Sequence, residues 1–461
     1  MSRDLDVAVV GAGIAGLTAA HELRRAGLSV RVFEAAPQVG GRMASARHDG
    51  WTIDTGAEQI SPSGYRATWE LISRLGLTDD EVPRIGRPLA VWRDGRAHAG
   101  VAEARALLSG AGLSRRAQLD LIRFQAWAFR HREGFDDDRP ERSLLAAETV
   151  ADFARRYHPD LHDYLLQPVA GSFFGWNTER SAAAVMVSLL LSVGSAGTWR
   201  TYRDGMDTPA RLLAAELDVA TGQPVHQVIA DDGGARLQIG EDVATARSVL
   251  LCVPAPVAAE LHANPPAEDA EFLAACTFTP ALKVSCLLDA PLSAPGGDRP
   301  YVLLTPAVEE QVLSAIILDH EKHPGRAPAG KGLLTLMANA ATIPDLLSAP
   351  DAEIVDRLTR AVPRYLPGFD AVNRRNFVHR HRFGLPEATP AALHRRARFM
   401  NRPVGPVDYA GDWVMLRPAS EGAVRAGALA ASRVLSGLRP LVRPAFSKRL
   451  PIRTEDLENS R

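Results

Sequence analysis

The chain has 461 residues, 46% of them hydrophobic, enough for two or three domains with a large core. Lys and Arg total 53 against 54 Asp and Glu, a net charge of −1, and this balance gives no support for a nucleic-acid partner or an anionic membrane. Three cysteines in so long a chain (Cys252, Cys276 and Cys286) argue against a disulfide framework and for a reducing cytoplasm.

The chain opens MSRDLD and passes directly into an apolar run, so no signal peptide is expected. Leu5 to Val10 has the Val-rich texture of a strand buried on both faces. Gly11, Gly13 and Gly16 follow as G-x-G-x-x-G, and a helical pattern runs from Ile14 to Arg25 and stops at Gly27. A second strand, Val30 to Phe33, ends at Glu34, 18 residues after Gly16. This is a complete β-α-β unit for a dinucleotide. The first glycine permits the tight turn, the second admits the pyrophosphate, and the third lets helix and strand pack closely. Gly11, Gly13, Ala15 and Gly16 would cradle the phosphates at the helix N-terminus, and Glu34 would accept from a ribose hydroxyl while repelling a 2′-phosphate.

Further along come Gly40-Gly41-Arg42, a strand pair near Ala46 and Trp51 to Asp54, and Asp54-Thr55-Gly56-Ala57-Glu58. Tyr65 to Leu75 is an amphipathic helix closed by Gly76. Residues 102–131 and 143–168 read as helices around a charged loop, His131 to Arg142, that is expected to be solvated. Residues 181–193 form an apolar helix too short to span a bilayer. After Gly205-Met206 a helix from Pro209 to Leu217 leads to short strands near Val225, Ala235 and Val249 to Val253, the last rejoining the first sheet. Residues 280–289, 301–305, 312–318 and 333–338 are strand-like, with a Pro- and Gly-rich loop from His320 to Gly332 between the last two. Asn373 to Arg382 reads as an exposed basic strand, Val407 to Ala410 as a strand, and Ser420 to Leu435 as a helix. The fold class is therefore α/β: a nucleotide-binding domain (1–78, 205–262 and 395–438) with an inserted α+β substrate domain (79–204 and 263–394) and a C-terminal tail, 439–461.

Three features favour FAD over NAD. Gly40 and Gly41 let backbone pass close to phosphate, and Arg42 adds a charge-assisted bond. Gly411-Asp412 after a C-terminal strand offers a carboxylate to ribityl hydroxyls, with the next helix facing the flavin. No second G-x-G-x-x-G is present, as a pyridine-nucleotide-driven reductase with two such domains would need.

Together with Asp54 to Ala57, Gly205-Met206, the Val225 region and Glu421-Gly422-Ala423, these segments resemble the superfamily of flavin amine oxidases and protoporphyrinogen oxidases, with its phytoene desaturase relatives. The resemblance runs almost the whole length and implies an amine-oxidase fold and non-covalent FAD, no cysteine lying after Cys286 for a C-terminal thioether. It places Gly56 and Ala57 beside the flavin ring and the adenine against backbone near Val225. Thr279 to Val284 resembles the segment in which amine oxidases hold a lysine and water against flavin N5, which marks Lys283; Glu58 would orient a substrate N–H or act as a base. The aromatic cage of small-amine oxidases is missing: Ala419 and Ser420 stand there, with Trp413 the nearby aromatic, and Arg326 in the Pro/Gly loop would close over the site. The expected activity is an oxidase of a C–N bond using O2 on a bulky small molecule, as a tailoring enzyme of secondary metabolism. Alternatives are a porphyrinogen-type oxidase, an isoprenoid desaturase, or a non-catalytic flavoprotein. Neither a metal nor a nucleic-acid or membrane partner is expected, and a homo-oligomer is compatible with the sequence.

Overall fold

The computed structural model describes residues 4–101, 103, 110–295 and 298–438, so the expected tail 439–461 and part of the helix expected over 102–131 lie outside the described residues. Two seven-stranded sheets organise the chain. The first contains Leu5–Val10, flanked in parallel by Val30–Phe33 and by Asp242–Leu251. The strand Asp242–Leu251 serves two neighbourhoods: residues 242–246 pair antiparallel with Gly234–Ile239, while Val249 to Leu251 pair in parallel with Val407–Tyr409. Its C-terminal half is buried on both faces, as its apolar run requires.

Helix Ile14–Arg25 lies against helix Ser420–Leu438. Their approach is so close that a Cβ on Gly427 would stand 2.3 Å from the Ala15 carbonyl oxygen. This contact brings the first and the last described α-helices together at the glycine turn.

The second sheet has the order Asn373–Pro386, Phe278–Leu288, Gly332–Ala338, Leu313–Leu318, Val302–Leu304, Leu89–Arg93, Arg96–Val101. Its pairings are antiparallel except Val302–Leu304 with Leu89–Arg93. Successive side chains on a strand point to opposite faces. Leu282, Val284, Cys286 and Leu288 therefore enter an apolar core with Ile354, Leu358 and Phe369, while Ala281 and Lys283 face the opposite way, into a cavity.

Three local expectations are corrected. The helix expected over 143–168 is broken into Val150–Ala154, Pro159–Leu161 and a wide turn, His162–Leu166. Pro159 starts the second piece, where its missing N–H costs no helical bond. The charged loop 131–142 is solvated only in part: Glu133, Asp138 and Arg139 are exposed, but Asp137 accepts from Arg417 at 2.6 Å, and Glu141 accepts from the fully buried Arg396 at 2.6 Å. Asp137 and Glu141 neutralise cations that the C-terminal segments bury. The basic strand is an edge strand exposed only in part; over residues 379–382, His379 and His381 alternate with exposed Arg380 and Arg382 and turn inward.

Candidate active site

A cavity of about 1030 Å³ runs between the two sheets, at the upper end of the range for ligand pockets. One end is the glycine turn. Gly11 adopts φ 103°, and a Cβ there would stand 2.7 Å from the Cys252 carbonyl oxygen. A Cβ on Gly13 would meet nothing within 4 Å, so its missing side chain leaves open space rather than packing. The helix that starts beside it has no side-chain N-cap, which leaves its first N–H groups to a ligand. Glu34 lines the same end and accepts from the backbone N–H groups of Ala12 at 2.7 Å and Ala36 at 2.8 Å. Backbone donors, open space at Gly13 and a carboxylate at the strand end match the pyrophosphate and ribose of a dinucleotide. These residues fit FAD.

Midway, Arg42 makes a forked bond to Asp412, at 2.8 and 2.7 Å, and a third to the Gly384 carbonyl at 3.0 Å. The two residues expected to contact pyrophosphate and ribityl thus hold each other on the cavity wall. Gly41, Gly56, Ala57, Gly411 and Ala423 line the same stretch. A Cβ on Gly56 would lie 2.1 Å from the Arg42 carbonyl, so only glycine fits between this segment and Gly40-Gly41-Arg42.

At the far end Lys283 is 2% exposed. Its ammonium donates to the Gly56 carbonyl at 2.8 Å and pairs with Glu58. Behind this pair is a second buried cation that no sequence motif marks. Lys322 is bonded to Glu58 at 2.6 Å, Asp319 at 2.8 Å and Asp54 at 3.1 Å. The carboxylates of Asp54, Glu58 and Asp319 converge within 4.8 Å, and the Lys322 ammonium makes the charge contacts that a metal ion could make there. Arg326 completes the group, bonded to Asp54 at 3.0 Å and to Thr201 and the Tyr202 carbonyl.

Burial raises the Asp54 carboxyl, but Arg326 and Lys322 overcome this and hold it down at about 2. For Glu58 the balance runs the other way: burial, with Asp319 and Asp54 nearby, raises it against the pull of Lys283 and Lys322. Two neutral histidines sit beside Lys283. His381 lines the cavity and bonds the Thr55 carbonyl at 2.8 Å; burial first, then the Lys283 charge, lowers its pKa. His379 bonds Ser285 at 3.0 Å and is lowered to about 4 by burial and then Lys283. Cys252 also lines the cavity, and burial pushes its thiol far up, so it is no thiolate.

Several expected site residues stand elsewhere. Arg326, expected in a loop able to close over the site, is fully buried behind it, because Asp54 needs a partner cation. Trp413 is also fully buried, packed against Phe272, Phe399 and Tyr409, with its indole N–H on the Val253 carbonyl. Glu421 turns away from the cavity and accepts from the N–H groups of Ala67 and Thr68, serving the start of helix Arg66–Arg74. A Cβ on Gly422 would lie 2.2 Å from the Arg417 carbonyl, so it is a packing glycine; a Cβ on Gly16 would lie 2.0 Å from the Gly11 carbonyl, the close packing expected of the third glycine. Val225 starts an antiparallel strand and is not among the residues lining the cavity. Ala419 and Ser420 do line it.

Lys322 and Asp319 went unrecognised because DHEKHPGR reads as a charged loop, for which solvation is the default. The period-two placement of His379 and His381 was the available signal for the inward face.

The chain matches the family of flavin containing amine oxidoreductases over residues 14–435. Putrescine oxidase of Kocuria rosea is 42% identical over 93 residues, 20% of this chain and 19% of that one. Protoporphyrinogen oxidase 2 of Arabidopsis thaliana is 26% identical over 201 residues, 40% of this chain and 38% of that one. The chain therefore spans well under two thirds of the length of these curated relatives. The structure of cyclohexylamine oxidase from Brevibacterium oxydans IH-35A superposes with a TM-score of 0.76 at 18% identity, covering 95% of this chain and 100% of that one, and shows the shared fold. With its family match reaching from the first helix of the nucleotide unit to the last described helix, the chain belongs to the flavin containing amine oxidoreductases, and FAD is its cofactor.

Proposed function

We propose that this FAD-dependent oxidoreductase oxidises a C–N bond in a bulky, mainly apolar amine or amide, as a tailoring enzyme of secondary metabolism. The observation that carries the reading is Lys283, a buried ammonium on the cavity wall, fixed by the Gly56 carbonyl and Glu58. Bound FAD would supply the two-electron acceptor for a hydride leaving the carbon next to nitrogen. The nitrogen lone pair then forms the C=N bond, and the imine is hydrolysed or trapped by an internal nucleophile. Dioxygen takes up two electrons and two protons and leaves as hydrogen peroxide.

The roles of the chain's own residues follow from their surroundings. Gly11, Gly13, Ala15 and the helix N-terminus would receive the pyrophosphate, and Glu34 would receive a ribose hydroxyl. Lys283 places positive charge in a low-dielectric wall, where it lowers the cost of negative charge building up beside it. Glu58 has a lysine on each carboxylate oxygen, so its role is to aim Lys283 rather than to serve as a free base. The small side chains of Ala419 and Ser420 leave width at the reacting end. Phe173, Trp199, Met186 and Leu189 make an apolar wall for the rest of the substrate.

That width also supports a second reading, a porphyrinogen-type oxidase. The deciding experiment is anaerobic mixing with amines, amides and a porphyrinogen, followed at the flavin absorbance band. A bulky amine or amide should bleach the flavin and release peroxide on admission of air, and Lys283→Met should slow reoxidation about 100-fold. No bleaching by any amine or amide, with porphyrinogen turned into fluorescent porphyrin, would establish the second reading instead.

A further inference from the structure

The whole-chain charge of −1 hides a local excess. Helix Arg115–Arg130 buries Ala117, Leu121, Phe124 and Ala128 on its inner face. On another face Leu119, Ile122 and Phe129 are 64%, 47% and 65% exposed. Their spacing, with Ala126, forms one continuous apolar row along the helix. Arg116, Arg123 and Arg130, spaced by sevens, form a parallel row beside it, and Arg115 and Arg132 stand at its two ends; all five are exposed. Residues 115–133 hold five arginines against two acids, Asp120 and Glu133, a local charge of +3 with His131 neutral.

An apolar row bordered by arginines is the pattern of a helix that lies in the boundary between lipid headgroups and acyl chains. A second copy of the chain is a poorer partner. A two-fold interface sets a patch against itself, which would bring one arginine row against another. An anionic bilayer offers the opposite charge. The exposed face also adjoins the cavity: Phe129 and Leu191, 65% and 37% exposed, both line it, so it opens beside this helix.

We propose that the outer face of helix Arg115–Arg130 docks on an anionic phospholipid surface and holds the opening of the apolar cavity at the lipid boundary. The attachment is peripheral, and among the described residues no helix is long and apolar enough to cross a membrane. It gives an apolar substrate a route into the cavity that avoids water.

The test is co-sedimentation of the FAD-loaded full chain with vesicles of phosphatidylcholine alone and of phosphatidylcholine mixed with phosphatidylglycerol. Partitioning should favour the mixed vesicles and weaken as salt is raised. Arg116→Gln with Arg130→Gln should lower the partition coefficient about 30-fold. Leu119→Ser with Ile122→Ser should lower it about 10-fold or more. These four positions are outside the cavity wall, so FAD content should stay unchanged and confirm folding. Equal partitioning into the two vesicle types, or insensitivity to both double variants, would overturn the proposal. So would a lipid-free dimer that Leu119→Ser with Ile122→Ser dissociates, since a second copy would then be the occupant. The assay requires no turnover, so its outcome is independent of the proposed amine oxidation.

Discussion

The Lys322 side chain has no exposed surface and three carboxylate partners, so its ammonium decides whether Asp54, Glu58 and Asp319 can all remain in the core. Removing one member of a buried charged group leaves the others uncompensated, at about 3–5 kcal/mol. Lys322→Met should lower unfolding stability by that order, read from denaturant melts of the FAD-free protein. The pH dependence carries a second signature. Asp54 sits at about 2 in the fold against 3.8 as its ordinary value, a difference worth about 2 kcal/mol. Its pKa is depressed, so this stability is present above about pH 4 and is lost as pH falls toward 2. Without Lys322 the Asp54 carboxyl should rise, and acid destabilisation should begin at higher pH. A variant with an unchanged acid limb would show that Arg326 alone holds Asp54. The sequence marked Glu58 and Lys283 one by one; their pairing with each other and with Lys322 joins residues from three separate segments.

At the scale of elements, the glycine turn separates folding from ligand binding. Gly11 and Gly13 are two residues apart and face opposite constraints. A methyl at Gly11 meets the Cys252 backbone and needs an L-residue at φ 103°, so Gly11→Ala should lower the melting temperature of the FAD-free protein. A methyl at Gly13 enters open space, so Gly13→Ala should melt normally without FAD and hold much less of it. Melting curves with and without added FAD, together with flavin absorbance after gel filtration, check both. Equal FAD retention by Gly13→Ala and the parent chain would remove the phosphates from that space. The strand Phe278–Leu288 shows how alternation selects a role: its even-numbered apolar residues pack in a core, and the same rule turns Lys283 to the cavity. Residues 143–168 show where such rules stop, since the broken helices there follow Pro159 and local packing rather than a single helical period.

For the molecule as a whole, the cavity lies between two sheets, so FAD is expected to bridge them and couple to global stability. A ligand that binds only the folded state stabilises it by about 3–4 kcal/mol at 100 to 1,000 times its dissociation constant. Adding FAD to the stripped protein should raise the melting temperature in a concentration-dependent way, and a melting point indifferent to FAD would mean the cavity does not hold it. What the sequence determined by itself was local in origin. The β-α-β nucleotide unit, the glycine positions, Glu34 and the strand carrying Lys283 all depend on short-range periodicity and on turns that only glycine can make. What the tertiary structure decided was which charges meet. Trp413 went to an aromatic cluster and Glu421 to a neighbouring helix, while Arg326 and Lys322 went to the interior because burying Asp54 and Glu58 required cations from a distant segment. Charge pairing across 200 or more residues leaves no periodic trace in a sequence, and the arginine row of helix Arg115–Arg130 vanished into a net charge of −1 until the fold gave it a face.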